Sequence, residues 1–376
     1  MKITNTMKDM KKALSSYLET ELKPNIEEYD KSGEFPKEIY DGLIKMGVHL
    51  LEVPEKFGGL QQDRKTEVYI AETLGRYDAG LGSAIGASNS AASTINMFGN
   101  EGQKEAYFKI MTDGKLAAFC LTEPDAGSDA ANVRTTAVLD GDEYILNGTK
   151  CFITNGGIAG VYTVFASTDP SKGIKGLSAF YVESNRPGVV IGKHEDKMGI
   201  RLSNTTEVLF QNVRVPKDHL IGEVGKGFIY AMKTLDTSRP VVGAIGVGLA
   251  QRAIDEAVSY GKARVQFGKP IIWNQAIQFM LADMQIQTEG ARQLVYTTAE
   301  KIDSNEPYTK YSAMSKVIGS DTAMKVSIDA LQVLGGYGYM REYPVEKMVR
   351  DAKILQIYEG TNQIQRIVIA QSMLKA

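Results

Sequence analysis

The chain has 376 residues, with Lys plus Arg at 43, Asp plus Glu at 45 and a formal net charge of -2. That length exceeds one ordinary core and predicts two or three packed units. With charge so nearly balanced, nothing favours nucleic acid or an anionic membrane as partner. Hydrophobic residues at 43% and charged residues at 23% give a soluble, globular class. Cys120 and Cys151 form no CxxC pair, which fits a reducing compartment and disfavours a disulfide framework or a thiolate metal site. His49, His194 and His219 are scattered without an HExxH pattern, so no metal is expected. The chain opens on a charged amphipathic stretch rather than an apolar signal core, and no run of about 18 apolar residues occurs. The cytoplasm is the default expectation.

Apolar spacing predicts a helix over 7–31, with Met10, Leu14, Tyr17, Leu18 and Leu22 recurring every three or four residues. Phe35-Pro36 opens a second helix that puts Ile39, Leu43 and Met46 on one face. Helical patterns return at 63–77, 84–98 and 101–110. The stretch from Ser83 to Thr94 is almost all small side chains. Close helix packing accounts for it; a helix leaving room for a substrate tail is the functional alternative. At about residue 116 the period changes. Leu116–Leu121 reads as a strand, and Tyr144-Ile145-Leu146-Asn147-Gly148-Thr149-Lys150-Cys151-Phe152-Ile153 reads as a hairpin with Asn-Gly at its turn. Further strands follow at 161–166, 177–182, 189–191, 207–210 and 212–216. No helices alternate with them, so this is not a doubly wound sheet. Long helical runs then return, one carrying Leu249, Ala253, Ala257 and Tyr260 on a single face, others at 276–300 and 316–333. They predict a bundle. The expected units are 1–115 all-α, 116–225 β and 226–376 helical bundle, an α+β multidomain chain.

Several segments carry possible chemistry. Thr122-Glu123-Pro124-Asp125-Ala126-Gly127-Ser128-Asp129 is either an ordinary turn or a set of N–H and hydroxyl donors for a planar cofactor and a phosphate-bearing ligand. Phe152-Ile153-Thr154-Asn155-Gly156-Gly157 places an aromatic and a hydroxyl before a glycine turn. Gly243-Ala244-Ile245-Gly246-Val247-Gly248 has the wrong order for a dinucleotide fingerprint and reads as close helix packing. Arg264-Val265-Gln266-Phe267-Gly268 sets a guanidinium beside a break, and Leu334-Gly335-Gly336-Tyr337-Gly338 ends a helix. Near the C-terminus, Glu359 follows Ile354, Leu355, Ile357 and Tyr358 and precedes Gly360. A Glu before a Gly is common, and a helix-end carboxylate in water accounts for it. Desolvated in a cavity, the same group becomes a general base.

In this order the segments resemble the acyl-CoA dehydrogenases, from about residue 10 to 373. The marks are Leu121–Asp129, Phe152–Gly157, Arg264–Gly268, Leu334–Gly338 and the block from Tyr343 to Thr361. The resemblance implies a helical N-terminal domain, a central β-barrel-like domain and a C-terminal four-helix bundle that together hold FAD. Phe119, Leu121, Thr122, Phe152 and Thr154 would line the flavin ring. Arg264, Gln266 and Phe267, with Gln332 and Gly336 from a neighbouring subunit, would hold the pyrophosphate and adenosine, and Thr361 and Gln363 would complete that site. Ser128 would lie beside the CoA arm, and Leu235, Asp236 and Arg239 match the family's CoA-binding helix. A shared cofactor implies an oligomer, usually a homotetramer.

Glu359 falls on the position of the family's catalytic base. It would take the α proton of an acyl-CoA as the β hydride passes to flavin N5, giving the trans-2-enoyl-CoA. The family polarises the thioester carbonyl with the N–H of the base and a flavin ribityl hydroxyl. Tyr358 and Gly360 would pack beside the thioester. Some relatives carry the base at the position of Ser238, a hydroxyl here. Many have Trp where this chain has Phe152. No Arg lies within 83–96 to hold a distal carboxylate, which disfavours a dicarboxyl substrate. Electrons would pass to an electron-transferring flavoprotein. The rivals are an enoyl-CoA reductase running in reverse, an acyl-CoA oxidase and a nucleic-acid-associated flavin protein; the last would need an extra basic domain. Short or medium straight acyl chains are expected.

Overall fold

The computed structural model describes residues 1–374 and runs helix, sheet, helix. The first unit holds α1 (Asn5–Tyr17), α2 (Ile26–Ser32), α3 (Lys37–Lys45), α4 (Arg64–Tyr77), α5 (Ala79–Phe98) and α6 (Glu101–Thr112). Caps set four of the starts: Thr4 accepts from the Met7 N–H, Asp63 from Thr66, Asp78 from Leu81, and Asn100 from Gln103. The single helix expected over 7–31 is broken. After α1 the chain makes one wide turn over Leu18–Leu22, and Pro24 supplies no N–H to carry the helix on. Helix α5 starts at Ala79, earlier than its pattern suggests, because the Asp78 cap outweighs Gly80 and Gly82.

The middle unit holds β1 (Leu116–Cys120), β2 (Thr136–Asp140), β3 (Glu143–Thr154), β4 (Ala159–Ser167), β5 (Leu177–Glu183), β6 (Val189–His194), β7 (Thr205–Pro216) and β8 (Leu220–Ile221). They form one mixed sheet in the order β6-β7-β3-β2-β4-β5-β8, with β1 also on β4. Both β1 and β2 run parallel to β4, β2 meeting it at Ser167. The path ends at β6 and β8, so no ladder among the described residues closes the expected barrel.

The hairpin expected at Asn147-Gly148 is absent. Strand β3 runs straight through: Leu146 pairs with Val213 and Thr149 with Leu209, both on β7. The register slips between them. Asn212 takes φ +54° and donates its N–H to Asn147 Oδ1 at 2.8 Å. Asn-Gly here marks a bulge, not a turn. The real turn is at Gly141-Asp142, between β2 and β3, with Gly141 at φ +60°. The same bulge joins the two strands expected at 207–216 into β7.

The last unit holds α7 (Gly227–Ala263), a short hairpin of β9 (Val265–Gln266) and β10 (Lys269–Pro270), then α8 (Gln275–Asp303), α9 (Thr309–Leu334), α10 (Val345–Leu355) and α11 (Asn362–Leu374). Helices α7, α8 and α9 pack on one another, and α10 and α11 lie against α9. Helix α7 also packs on α4 and α5, so the two helical units share a core. Glycines allow this. A Cβ on Gly243 would sit 2.6 Å from the Ser315 carbonyl oxygen, and one on Gly246 would sit 2.6 Å from that of Gly319. One on Gly248 would collide with Glu72 of α4. The run read as close helix packing does that. No helix among the described residues is long and apolar enough to cross a membrane.

A buried cation ties the three units together. Lys347 of α10 donates to Asp78 at the start of α5 and to Asp351, each at 2.5 Å. Asp351 also accepts the Ile200 N–H at 2.6 Å. Removing the lysine leaves two carboxylates buried together. Lys347→Met is therefore expected to cost about 3–5 kcal/mol, read as a large fall in the thermal unfolding midpoint, with Asp78→Asn in the same background recovering part of it.

Candidate active site

Between α10 and α11 the backbone breaks. Glu359 takes φ +53° and Gly360 φ +85°. A left-handed conformation is open to glycine but costs other residues about 1–2 kcal/mol. Side chains from two helices hold it. Gln365 Nε2 donates to the carbonyls of Glu359 and Gly360 at 3.1 and 3.0 Å. Lys316 Nζ donates to the Gly360 carbonyl at 3.0 Å and to Asn362 Oδ1 at 2.8 Å. The break aims the Glu359 carboxylate at α7, where Ser238 Oγ donates to Oε2 at 2.7 Å. The Glu359 N–H has no acceptor among the described residues.

The carboxylate lies deep in the molecule, and the part of its surface still open faces a cavity of about 210 Å³. Burial pushes its pKa up, while the Ser238 hydrogen bond and then Arg239, Lys316 and Arg64 pull it down. Burial also takes the Lys316 ammonium down to about 7, with Glu359 the first influence opposing it. Tyr358 hydrogen-bonds Ser83 of α5 at 2.9 Å through its hydroxyl, and burial raises that phenol's pKa.

The cavity brings many of the expected residues together. Phe119, Leu121, Thr122, Phe152 and Thr154 line it from the sheet. Leu235 and Arg239 line it from α7, Tyr358, Glu359 and Gly360 from the break, and Ser128 from the turn after β1. Small residues of α5, namely Ser83, Gly86, Ala87 and Ser90, form another wall. Phe152 stands at φ +56° with 64% of its surface exposed, a large aromatic face beside the cavity with little to cover it. A planar ring system fits that face, and the residues around it fit FAD.

Other expected residues lie elsewhere. Asp236 does not line the cavity: it accepts from Arg239 and from the Thr309 hydroxyl at 2.8 Å, orienting Arg239. Thr361 is at the start of α11, its hydroxyl taking the Ile364 N–H at 3.3 Å, and Gln363 is exposed. Arg264, Gln266 and Gly336 border a separate surface groove with Tyr337, whose ring lies 5.3 Å from the Arg264 guanidinium. Within one chain Arg264, Gln266 and Gly336 lie together because α7 and α9 end side by side. Phe267, at φ +50°, is 97% exposed at the tip of the β9–β10 hairpin, and Gln332 is exposed near the end of α9. Two contributors have no reading in the sequence, Lys316 and Gln365, while Ser83 belongs to the small-residue stretch whose functional alternative is a pocket wall. Lys316 did leave a signal, a lone charge among Ser312, Ala313, Ser315, Val317 and Gly319.

Two helical units and a mixed sheet, folded round one cavity that carries a carboxylate, define an oxidoreductase of the acyl-CoA dehydrogenase type. The family models for the acyl-CoA dehydrogenase N-terminal, middle and C-terminal domains match residues 4–115, 118–213 and 225–374. The acryloyl-CoA reductase (NADH) of Anaerotignum propionicum is 46% identical over 376 residues, 99% of this chain and 95% of that protein. Butyryl-CoA dehydrogenase from Megasphaera elsdenii superposes with a TM-score of 0.97 at 46% identity, covering 100% and 99% of the two chains. A chain solved as electron transferring flavoprotein of Acidaminococcus fermentans also gives 0.97, at 44% identity and 100% coverage of both. The chain belongs to the acyl-CoA dehydrogenase family, whose members depend on FAD.

The turn that carries Leu121 and Thr122 rests on a buried ion pair. Glu123 accepts from Lys150 Nζ at 2.7 Å and from the N–H groups of Arg134 and Thr135 at 2.7 and 3.0 Å. Lys150 also donates to the Leu121 carbonyl at 3.1 Å. Both side chains are buried. Lys150→Met leaves the carboxylate unmatched. It is expected to cost about 3–5 kcal/mol in thermal or denaturant unfolding and to lower FAD retention on gel filtration, while Lys150→Arg loses less of both.

Proposed function

We propose that the chain catalyses α,β-dehydrogenation of a short acyl-CoA thioester, with Glu359 taking the α proton. The observation that carries this reading is the Glu359 carboxylate itself. It is desolvated, hydrogen-bonded to a single hydroxyl and held at a cavity wall by a strained backbone. The thioester carbonyl acidifies the α C–H, and a carboxylate with a raised pKa is the stronger base. The free N–H of Glu359 is a donor for the carbonyl oxygen as enolate charge grows there. Bound FAD supplies the acceptor for the β hydrogen and its electron pair. Phe119, Leu121, Thr122, Phe152 and Thr154 orient that ring; Arg264, Gln266, Phe267, Gln332, Gly336, Thr361 and Gln363 serve its pyrophosphate and adenosine end in a homotetramer. Ser128, Leu235, Asp236 and Arg239 serve the CoA arm.

A short chain is supported by Tyr358, tethered to Ser83 across the cavity beside the base, and by the likeness to a butyryl-CoA dehydrogenase. An electron-transferring flavoprotein as partner is supported by the likeness to the Acidaminococcus fermentans chain. A cytoplasmic setting is supported by two buried, unpaired cysteines. The acryloyl-CoA reductase relative favours a second reading, in which the same site runs from enoyl-CoA to acyl-CoA.

Anaerobic mixing with a series of acyl-CoAs, watching the flavin absorbance, tests the proposal. Butyryl-CoA is expected to bleach the flavin fastest. Glu359→Gln is expected to keep its FAD and lose bleaching by on the order of 10²–10⁴-fold; a variant that bleaches normally removes Glu359 from the role. Reoxidation of the reduced protein by enoyl-CoA, with no bleaching by any acyl-CoA, would select the reductase. The pH dependence has a defined sign. The base works ionised, so kcat/KM rises with pH, and because burial raises the Glu359 pKa the midpoint lies above the ordinary carboxylate value.

A further inference from the structure

We propose that Ser238 is a positioning residue for the base, a hydroxyl that serves Glu359 in both of its protonation states. The inference rests on the reading of Glu359 as the base and deepens it. Ser238 is 2% exposed, between Leu235 and Arg239, which line the cavity from α7. Its Oγ has two partners: Glu359 Oε2 at 2.7 Å and the carbonyl of Leu235, one turn back in its own helix, at 3.2 Å. A hydroxyl has one hydrogen to give and lone pairs to receive. With Glu359 ionised, that hydrogen points to the carboxylate. Once the carboxyl carries the substrate's α proton, the hydroxyl turns its hydrogen to the Leu235 carbonyl and accepts from Glu359. The α proton stays on Glu359 and the Ser238 O–H bond stays intact; only its rotation changes. The base thus keeps a partner on both sides of the proton transfer, where an unpartnered buried carboxyl would be costly.

The charged groups around Glu359 are committed elsewhere. Arg239 of α7 pairs with Asp236, and Arg64 of α4 pairs with Glu52 and Glu67. Lys316 of α9 is bound to the Gly360 carbonyl and Asn362, and the neighbouring Tyr358 to Ser83. They act on the carboxylate through space. Among the described residues Ser238 is the one direct hydrogen-bond partner of its oxygens.

The test titrates the Glu359 carboxyl in the FAD-loaded protein by difference infrared spectroscopy, with Glu359→Gln identifying the band. Alongside it, the pH dependence of kcat/KM is followed by flavin bleaching. Ser238→Ala removes a partner from both forms, but the bond to the charged carboxylate is the stronger of the two, so both midpoints are expected to rise by about one unit. Ser238→Thr keeps the hydroxyl and is expected to restore them. An unchanged midpoint in Ser238→Ala, or a rise in Ser238→Thr equal to that in the alanine variant, would overturn the proposal. The infrared midpoint is read whether or not Glu359 is the base, so normal bleaching by Glu359→Gln would sink the base assignment alone.

Discussion

The contact between the backbones of α7 and α9 sets the geometry of the site. Gly243 and Gly319 meet there, and a Cβ on Gly319 would sit 2.5 Å from the Gly243 carbonyl oxygen. Ser238 lies just over a turn before this contact on α7, and Lys316 just under a turn before it on α9. The helices approach closely enough for both to reach the one strained break, Ser238 at the carboxylate and Lys316 at the Gly360 carbonyl. A side chain in the seam would part the helices and move these two groups together. Such a seam buries little apolar area of its own. The surrounding Val242, Ala244, Val247, Ala323 and Val326, all within the core, supply it.

Most buried charges follow one rule; Lys316, held by a carbonyl and Asn362, and Glu359 stand outside it. Lys347 is closed between two aspartates, Lys150 is bound to Glu123, Arg64 lies among Glu52 and Glu67, and Arg239 sits on Asp236. Each removes a charge from water by matching it. Glu67 shows the strain of crowding, its pKa raised to about 8 chiefly by burial. Glu359 has neighbouring cations but no ion pair, only a hydroxyl. A carboxylate left this poorly matched, at the wall of the cavity, is where a proton can be taken up at the least electrostatic cost.

Much of this could be read from the chain. Helical and strand periods carry the α, β, α order, and the glycine order of Gly243–Gly248 marks packing rather than a nucleotide loop. The misreadings have specific causes. Asn147-Gly148 has turn chemistry, but β7 lies opposite and turns the pair into a bulge, a partner invisible to local sequence. The helix expected over 7–31 kept its apolar spacing across Pro24, and spacing alone does not register a missing N–H. Lys316 and Gln365 escaped because each acts on a backbone carbonyl, and nothing in a lysine or a glutamine announces that its partner is main chain.

Backbone strain was equally hidden, and its distribution bears on function. Phe152, Phe267 and Glu359 all adopt positive φ without being glycine or asparagine. Each belongs to the set that family resemblance ties to cofactor or base. Gln61 and Ile200 do the same away from the cavity, and at Ile200 the cause is visible: Asp351, held by Lys347, takes its N–H. Strain persists only where surrounding contacts over-determine it. At Ile200 those contacts are an ion cluster that joins domains. At Glu359 they are Gln365 and Lys316, which fix two carbonyls, while the N–H keeps no acceptor among the described residues and Glu359 lines the cavity. The same device that costs stability at the break therefore leaves a carboxylate and an unpaired N–H on one residue, an arrangement a relaxed helix end, with its N–H groups turned inward, does not offer.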